Sequence, residues 1–211
     1  MSHAELDSPV PTPGEPLPVA VVRKRPKPGE RRVQILQALA TMLEQPGAER
    51  ITTAALAARL DVSEAALYRH FASKAQMFEG LIEFIEQSVF TLINQITERE
   101  PAGSAQAGRI VAMLIQFAEK NPGMTRVMVG DALVFENDRL QQRMNQFFDK
   151  VEASLKQCLR ANADAATPTV DAAVRASVLT AFTVGRLQRF ARSGFKRLPS
   201  EHLEASLARM L

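Results

Sequence analysis

The sequence predicts an all-α protein with a unit of three helices near its N-terminus and a larger helical domain behind it. From residue 30 onward, apolar residues recur three and four positions apart, which is the period of an amphipathic helix. No stretch shows the alternation of apolar and polar residues that marks a half-buried strand. The segment 52–74 adds two short helical patterns separated by a turn, as in a helix-turn-helix.

The first 29 residues differ from the rest in composition. They hold seven of the twelve prolines and lack apolar periodicity, so we expect a disordered tail over residues 1–29. A basic run closes the tail and enters the first helix: Arg23, Lys24, Arg25, Lys27, Arg31 and Arg32. This run either touches nucleic-acid phosphates or only solvates the tail, and the sequence leaves both open.

The helix-turn-helix pattern in 52–74 follows from capping and turn chemistry. Thr52 or Thr53 can cap the first helix, since a hydroxyl accepts a bond from a free backbone N–H group. Asp61 lies in the turn, where it tolerates a left-handed conformation better than most residues. Ser63 can cap the second helix, whose outward side chains are then free to meet a ligand. The rival interpretation is a plain helical hairpin within a bundle.

A helix-turn-helix places its second helix in the DNA major groove, which divides the candidate residues into two groups. Six would hold phosphates and set the register: Arg50, Thr52, Thr53, Tyr68, His70 and Lys74. Four lie nearest the base edges: Ser63, Glu64, Ala65 and Arg69. The net charge of +3 and the isoelectric point of about 9.3 agree with this function but are too mild to prove it.

The pattern predicts that the rest of the chain forms consecutive helices. The predicted helices cover residues 30–45, 74–98, 104–119, a short piece ending near Val129, 132–160, 169–192 and a last short helix from Pro199. The apolar stripe of the first is Val33, Leu36, Ala40 and Leu43, and that of 74–98 is Phe78, Leu81, Ile82, Ile85, Val89, Leu92 and Ile96. We therefore expect a DNA-binding domain at 30–75 and a helical dimerisation and partner-binding domain at 76–211.

Small side chains form a second stripe in the predicted helix 169–192. Ala173, Ser177, Ala181 and Gly185 recur every four residues, which allows close approach of another helix. This stripe predicts a two-fold dimer interface, because helix-turn-helix proteins usually bind paired half-sites as dimers. The alternative is packing against residues 132–160 of the same chain.

Catalytic, metal-binding and cofactor-binding patterns are absent from the sequence. It holds three histidines, one in the tail and one in the second helix of the motif, and a single cysteine, Cys158. No nucleophile–base pair, metal-spaced cluster or phosphate-binding glycine loop occurs. Acid pairs such as Glu83/Glu86 and Asp131/Glu136 are interpreted as solvated helix faces. The lone cysteine suits a reducing cytosol as a small core residue, and no run is long enough to span a membrane.

The residues Leu67–Phe71 followed by Lys74 resemble the DNA-binding signature of the TetR family. That resemblance covers roughly residues 30–75 and implies a TetR-like fold. It also implies that Tyr68 and His70 contact the DNA backbone and that Lys74 adds a further phosphate contact.

A closer resemblance extends over about residues 30–198 to the SlmA-type nucleoid occlusion factors. It is carried by the segments Arg50–Thr53, Val62–Phe71, Leu81–Glu86, Asn121–Gly123, Ala132–Leu140 and the residues around Arg189–Lys196. It implies homodimers on chromosomal palindromes, with a dimer of dimers left open, and binding of the C-terminal tail of the division protein FtsZ. The matching positions in the implied FtsZ groove are Phe84, Met113, Lys120 and Asn121. Lys120 stands where the family pattern has arginine, and Met113 where it has leucine.

The helical pattern gives that groove partial support of its own. Phe84 and Met77 fall on the shoulder of the stripe in 74–98, and Met113 lies on the shoulder of the next stripe. Two apolar shoulders beside Lys120 could accept a short apolar, acidic peptide. The alternative is that these residues only complete the core.

Two functions remain to be compared. The first is a cytoplasmic, nucleoid-associated inhibitor of cell division that blocks Z-ring assembly over the nucleoid. The second is a TetR-type transcriptional repressor whose helical domain binds a small effector, which would require a largely buried pocket with a few polar anchors. An enzyme is a distant third.

Overall fold

The computed structural model describes residues 29–45, 51–160 and 168–211. In these ranges the chain forms only helices, turns and irregular segments, in agreement with the all-α prediction. The α-helices in chain order are α1 (Glu30–Leu43), α2 (Thr53–Arg59), α3 (Glu64–Tyr68), α4 (Lys74–Arg99), α5 (Ser104–Lys120), α6 (Pro122–Met128), α7 (Asp138–Arg160), α8 (Pro168–Arg192) and α9 (Leu203–Met210).

Helix α4 joins the N-terminal helices to the rest of the protein. It has 26 residues, hence about 39 Å at 1.5 Å per residue, and it packs on α1 at one end and on α5 and α7 beyond. Its buried face includes Phe78, Ile85 and Val89, which belong to a single hydrophobic core that continues through the N-terminal helices and the C-terminal ones. Burial of this face against three helices fixes the position of α4.

Three ion pairs set α7 alongside the first half of α4. Glu136 just before α7 meets Lys74, Arg139 meets Glu79 and Arg143 meets Glu86. Helices α7 and α8 then pack on each other along their length after a short connection. Since Arg175 near the start of α8 bonds Ser104 at the start of α5, α8 runs back from the far end of α4.

Helix α6 packs very closely on α1. A Cβ atom added to Gly123 would lie 1.9 Å from the carbonyl oxygen of Ala40 in α1. Only glycine therefore permits this approach. The contact ties the N-terminal three-helix unit to the segment that follows α5.

Two predicted helix starts are wrong. The helix predicted for 132–160 begins at Asp138, because Gly130 turns with a φ of 85° into a 3₁₀ turn at Asp131–Leu133. The Asn137 side chain then accepts a bond from the Arg139 N–H group at 2.9 Å. The last helix begins at Leu203 and not at Pro199, after His202 in a left-handed conformation.

In α1 and α4 the buried face differs from the predicted one by a shift of one or two residues. Val33 is exposed while Ile35 is buried, and in α4 Met77 is fully buried, although the pattern placed it on a shoulder. Near the end of α4 the buried residue is Ile93, whereas Leu92 is half-buried. Helices that meet several partners bury more than one stripe, so the period alone misplaces the edge of the face.

Candidate DNA interface and partner groove

The turn between α2 and α3 has the geometry that the sequence predicts. Asp61 has a φ of 53°, in the left-handed region. The Thr52 hydroxyl accepts the Ala55 N–H group at 3.1 Å, and the Ser63 hydroxyl accepts the Ala66 N–H group at 3.3 Å. Both hydroxyl oxygens are thus used as helix caps, and only their O–H groups are left to donate to a phosphate.

The outer face of α3 is open to solvent as predicted. Glu64, Ala65, Tyr68, Arg69 and His70 are all exposed. The inner face is closed, since the core takes Leu67 and Phe71.

A small polar network ties α3 to the start of α2. The Thr53 hydroxyl donates to the Glu64 carboxylate at 2.6 Å, and the Tyr68 hydroxyl donates to Thr53 at 3.4 Å. The network orients Tyr68 along the surface. It also occupies one oxygen of Glu64, which sequence analysis had assigned to the base edges.

Lys74 is engaged within the protein. Its ammonium lies 2.5 Å from a carboxylate oxygen of Glu136, whose side chain is 9% exposed. A phosphate would have to compete with this carboxylate for Lys74. At the start of α4 a capping box is half formed: the Ser73 hydroxyl accepts the Gln76 N–H group, but the Gln76 side chain accepts the Ala72 N–H group instead of that of Ser73.

Sequence reasoning missed the role of Arg32. Assigned to the basic run, it donates to the His70 carbonyl oxygen at 2.8 Å, and its guanidinium lies 4.1 Å from the centre of the Phe71 ring. Arg32 therefore holds the end of the recognition helix against α1. The pairing of a basic residue early in α1 with an aromatic residue after α3 carries no local pattern, because the partners are 38 residues apart.

Some predicted DNA contacts lie outside the described residues. These are Arg50 and the tail residues before Gly29, including the basic positions Arg23 to Lys27.

The four residues assigned to the partner groove lie on α4, on α5 and at the α5–α6 junction. Phe84 is 46% exposed, which is unusual for a large aromatic side chain. Lys120 is exposed at the end of α5, and the Asn121 side-chain amide donates to the Phe117 carbonyl oxygen at 2.7 Å. Met113 is partly buried in the wall of a cleft.

That cleft between α4 and α5 has a volume of about 280 Å³. Its lining combines apolar side chains with Glu100 and two arginines, Arg99 and Arg109, none of which sequence reasoning singled out. Leu92 and Ile96, displaced from the core face, lie in the same wall as Met113. Phe84 does not line this cleft, so the structure places Met113 in its wall and leaves the exposed Phe84 ring outside it, three helical turns before Gln95 on the same side of α4.

The stripe of small residues on α8 points away from α7. Ser177 and Ala181 are exposed, and no atom lies within 4 Å of a Cβ built on Gly185. The face of α8 that packs within the chain holds other residues, including Leu179 and Leu187. Three valines of α8 are also exposed beside the stripe: Val170, Val174 and Val178, at 62, 58 and 48%. Packing against α7 does not use the stripe, which leaves an apolar helix face open.

The interpretation of two acid pairs as solvated faces is wrong for one member of each pair, Glu86 and Glu136, whereas Glu83 is exposed. Glu86 receives two bonds from the Arg143 guanidinium, at 3.3 and 2.5 Å, and Glu136 pairs with Lys74. The hydrogen bonds that Arg143 donates to Glu86 raise the pKa of Arg143 above its ordinary value, against the effect of burial. These carboxylates join the first half of α4 to the start of α7 and the segment before it, because opposite charges face each other there.

Comparison with known proteins places these features in a family. A model for bacterial regulatory proteins of the tetR family matches residues 35–81, and a tetracyclin repressor-like C-terminal domain model of the SlmA type matches residues 105–210. The nucleoid occlusion factor SlmA of Idiomarina loihiensis is 54% identical over 177 residues, covering 83% of this chain and 90% of that protein. This chain belongs to the SlmA family. The SlmA of Alteromonas mediterranea is 50% identical over 184 residues, covering 86% and 94% of the two chains.

Solved structures confirm the TetR fold of this SlmA-family chain. The fatty acid degradation regulator FadR from Bacillus halodurans matches with a TM-score of 0.72 at 12% identity, over 88% of this chain and 97% of that one. A TetR transcriptional regulator from Legionella pneumophila gives 0.69 at 13% identity, over 87% and 97%. At such identities the likeness concerns the fold alone.

Membership of this family makes the chain a helix-turn-helix regulator of the DNA-binding TetR type and not an enzyme. In the described ranges, no helix has the length and hydropathy of a membrane span. The same ranges contain no group of three or more acidic, histidine or cysteine side chains placed to hold a metal ion.

Proposed function

We propose that this protein inhibits cell division from the nucleoid: it binds chromosomal palindromes as a homodimer and blocks FtsZ assembly over the DNA. The observation that carries the proposal is 50–54% identity to nucleoid occlusion factors over most of the chain. Residues 30–75 then serve as the DNA-binding domain, and 76–211 as the domain for dimerisation and the partner.

The exposed face of α3 supports the DNA half of the proposal. Arg69 and His70 are exposed at the end of a helix whose inner face is anchored by Leu67 and Phe71. We assign Arg69 to base edges and His70, with Tyr68, to phosphates. Arg69→Ala should then lower the free-energy difference between binding the correct base and a wrong one by about 1–3 kcal/mol. His70→Ala should instead weaken binding to all sequences alike.

The open stripe on α8 supports a dimer that pairs this helix with its copy. Small residues at Ala173, Ser177, Ala181 and Gly185 let two helices approach closely, and the neighbouring valines supply apolar area. A two-fold pair would place two recognition helices on one duplex, as half-sites require.

Apolar and cationic groups on α4 and α5 support the partner half. Phe84 is an exposed aromatic anchor, and Lys120 is an exposed cation near the junction to α6. The α4–α5 cleft beside Met113 adds further apolar side chains together with Arg99 and Arg109. Such a surface suits the tail of FtsZ as a short peptide with apolar and acidic residues.

The test combines DNA recovery with an assembly assay. Genomic fragments are pulled down with the full-length protein, and the recovered complex is added to polymerising FtsZ. Dispersed palindromic fragments together with slowed FtsZ assembly support the proposal. A single site beside one gene, with no effect on FtsZ, refutes it.

The groove is tested separately with an FtsZ tail peptide. Phe84→Ala and Lys120→Glu should each weaken peptide binding, with and without the recovered DNA. Val134→Ala and Lys150→Glu are matched controls, because both residues are exposed and lie outside the assigned groove. Equal peptide binding by all four variants contradicts the groove assignment. The proposed DNA binding by the helix-turn-helix would not be affected by that result.

The repressor alternative has no comparable support. Buried polar side chains in the described residues are Gln106, Thr125, Thr180 and Thr183, and each bonds a backbone carbonyl oxygen of the protein. These four groups are therefore already satisfied without a small molecule, and in the described residues one buried side-chain oxygen, Glu119 Oε2, has no hydrogen-bond partner. A tightly bound effector that releases DNA from the purified protein would reverse the preference.

A further inference from the structure

The end of α8 carries four exposed cations on a rigid turn. We call Arg189, Arg192, Lys196 and Arg197 the C-terminal platform; all four side chains are exposed. Between them the chain turns through Gly194 and Phe195, with φ values of 62° and 65°. Two successive left-handed residues, one of them aromatic, are uncommon and persist only where the surroundings hold them.

Hydrogen bonds and ring contacts hold this turn. The Ser193 hydroxyl donates to the Phe190 carbonyl oxygen at 2.8 Å and accepts the N–H groups of Lys196 and Arg197 at 3.1 and 2.9 Å. The Phe195 ring stacks edge-to-face on Phe190 at 5.1 Å between centroids. These contacts fix the backbone that carries the four cations of the platform.

The platform charges are not neutralised within the described part of the protein. None of the four side chains makes an ion pair or hydrogen bond there, and the only acid between residues 186 and 202 is Glu201. Arg189 and Arg197 line a hollow of about 160 Å³, and Lys196 and Arg197 border a second one of about 650 Å³. Glu201 lines both hollows, so one carboxylate faces several cations and the net charge there stays positive. Like charges held together in this way repel one another, so the arrangement suits a ligand with several negative charges.

The platform lies at the same end of the protein as the helix-turn-helix. Arg126 of α6 places its guanidinium 5.2 Å from the centre of the Phe195 ring. Helix α6 in turn packs on α1 at Gly123, directly behind the recognition unit. The start of α8 is at the other end, where Arg175 meets Ser104.

We propose that the C-terminal platform binds the sugar-phosphate backbone of the DNA that α3 recognises, as a second and sequence-independent contact. DNA is favoured as the ligand because it is the polyanion brought to this end of the molecule. The inference rests on the proposed DNA binding of the helix-turn-helix. Arg189 continues the four-residue spacing of the α8 stripe beyond Gly185, so the α8 dimer brings the two platforms together between the recognition units, over the centre of the palindrome.

The test measures how the affinity of the full-length protein for the recovered palindromic duplex depends on salt. The platform variant is Arg189→Gln/Lys196→Gln/Arg197→Gln. The control is Lys150→Gln/Lys156→Gln/Arg160→Gln, which removes the same charge from the second half of α7, the end away from the helix-turn-helix. The affinity falls as salt rises, and each lost phosphate contact should make the slope of log affinity against log salt less negative by about 0.9.

We expect a shallower slope for the platform variant than for the control, and a smaller change of the same sign for Arg197→Gln alone. Equal slopes for the two triple variants overturn the inference, while loss of binding by His70→Ala would still uphold the helix-turn-helix. A second arm uses vesicles of phosphatidylglycerol and phosphatidylcholine in equal parts. Vesicle binding that the platform variant loses, with its DNA slope equal to the control, assigns the platform to lipid and also overturns the inference.

Discussion

Replacing Gly123 with alanine should destabilise the protein by separating α6 from α1. The new Cβ atom would lie 1.9 Å from the Ala40 carbonyl oxygen, whereas close carbon–oxygen contacts are about 3.3 Å. The two helices must therefore part by roughly 1.4 Å, and no rotamer change relieves the clash because the obstacle is backbone. Overpacking of this kind costs up to about 3 kcal/mol, and the gain in helix propensity returns at most about 1 kcal/mol.

The expected net loss is about 2 kcal/mol, or roughly 4–8 °C in melting temperature for a chain of this size. Thermal unfolding followed by circular dichroism measures it. Gly108→Ala is the matched control, since that glycine in α5 meets only the flexible end of the Leu211 side chain, at 3.0 Å. If Gly123→Ala melts at or above the temperature of Gly108→Ala, the inferred contact between α1 and α6 is wrong.

Three further predictions concern other parts of the fold. Burial raises the pKa of the Cys158 thiol above its ordinary value of 9.0, so the stability that its neutral form contributes is intact below pH 9 and declines as the pH rises further. Denaturant titrations from pH 8 to 10 should show this decline, and a Cys158→Ala variant with the same slope would contradict it. Arg143→Gln removes the partly buried bridge to Glu86 and should cost about 1–2 kcal/mol in urea unfolding, with Arg139→Gln, whose side chain is 71% exposed, costing less. Ala181→Glu places a charge on the open α8 stripe and should yield monomers in analytical ultracentrifugation, whereas an unchanged dimer would exclude this interface.

The helix-turn-helix could be predicted from the sequence almost residue by residue. Caps, turn residues and short-range periodicity act over a few positions, so Thr52, Asp61 and Ser63 revealed their roles without tertiary information. The exposure of Tyr68 and Arg69 followed from the same local geometry.

Roles that depend on distant partners could not be predicted in this way. Arg32 bonds a carbonyl oxygen 38 residues away, and Lys74 finds its carboxylate on the loop before α7. From the sequence Lys74 was assigned to DNA phosphates and Arg32 was left open between phosphate contact and solvation, because a basic residue near a recognition helix gives the same local signal in either role.

By itself, the sequence determined that the chain is helical, where its helix-turn-helix lies and which face of α3 is exposed, because these depend on neighbours within one or two helical turns. Only the tertiary structure decided that α8 leaves its small residues uncovered, that Gly123 must be glycine, and that the end of α8 returns to the DNA-binding end. Those features depend on which helices meet and how closely. Residue spacing along one helix does not encode the position of another, since packing brings together side chains that are far apart in the chain.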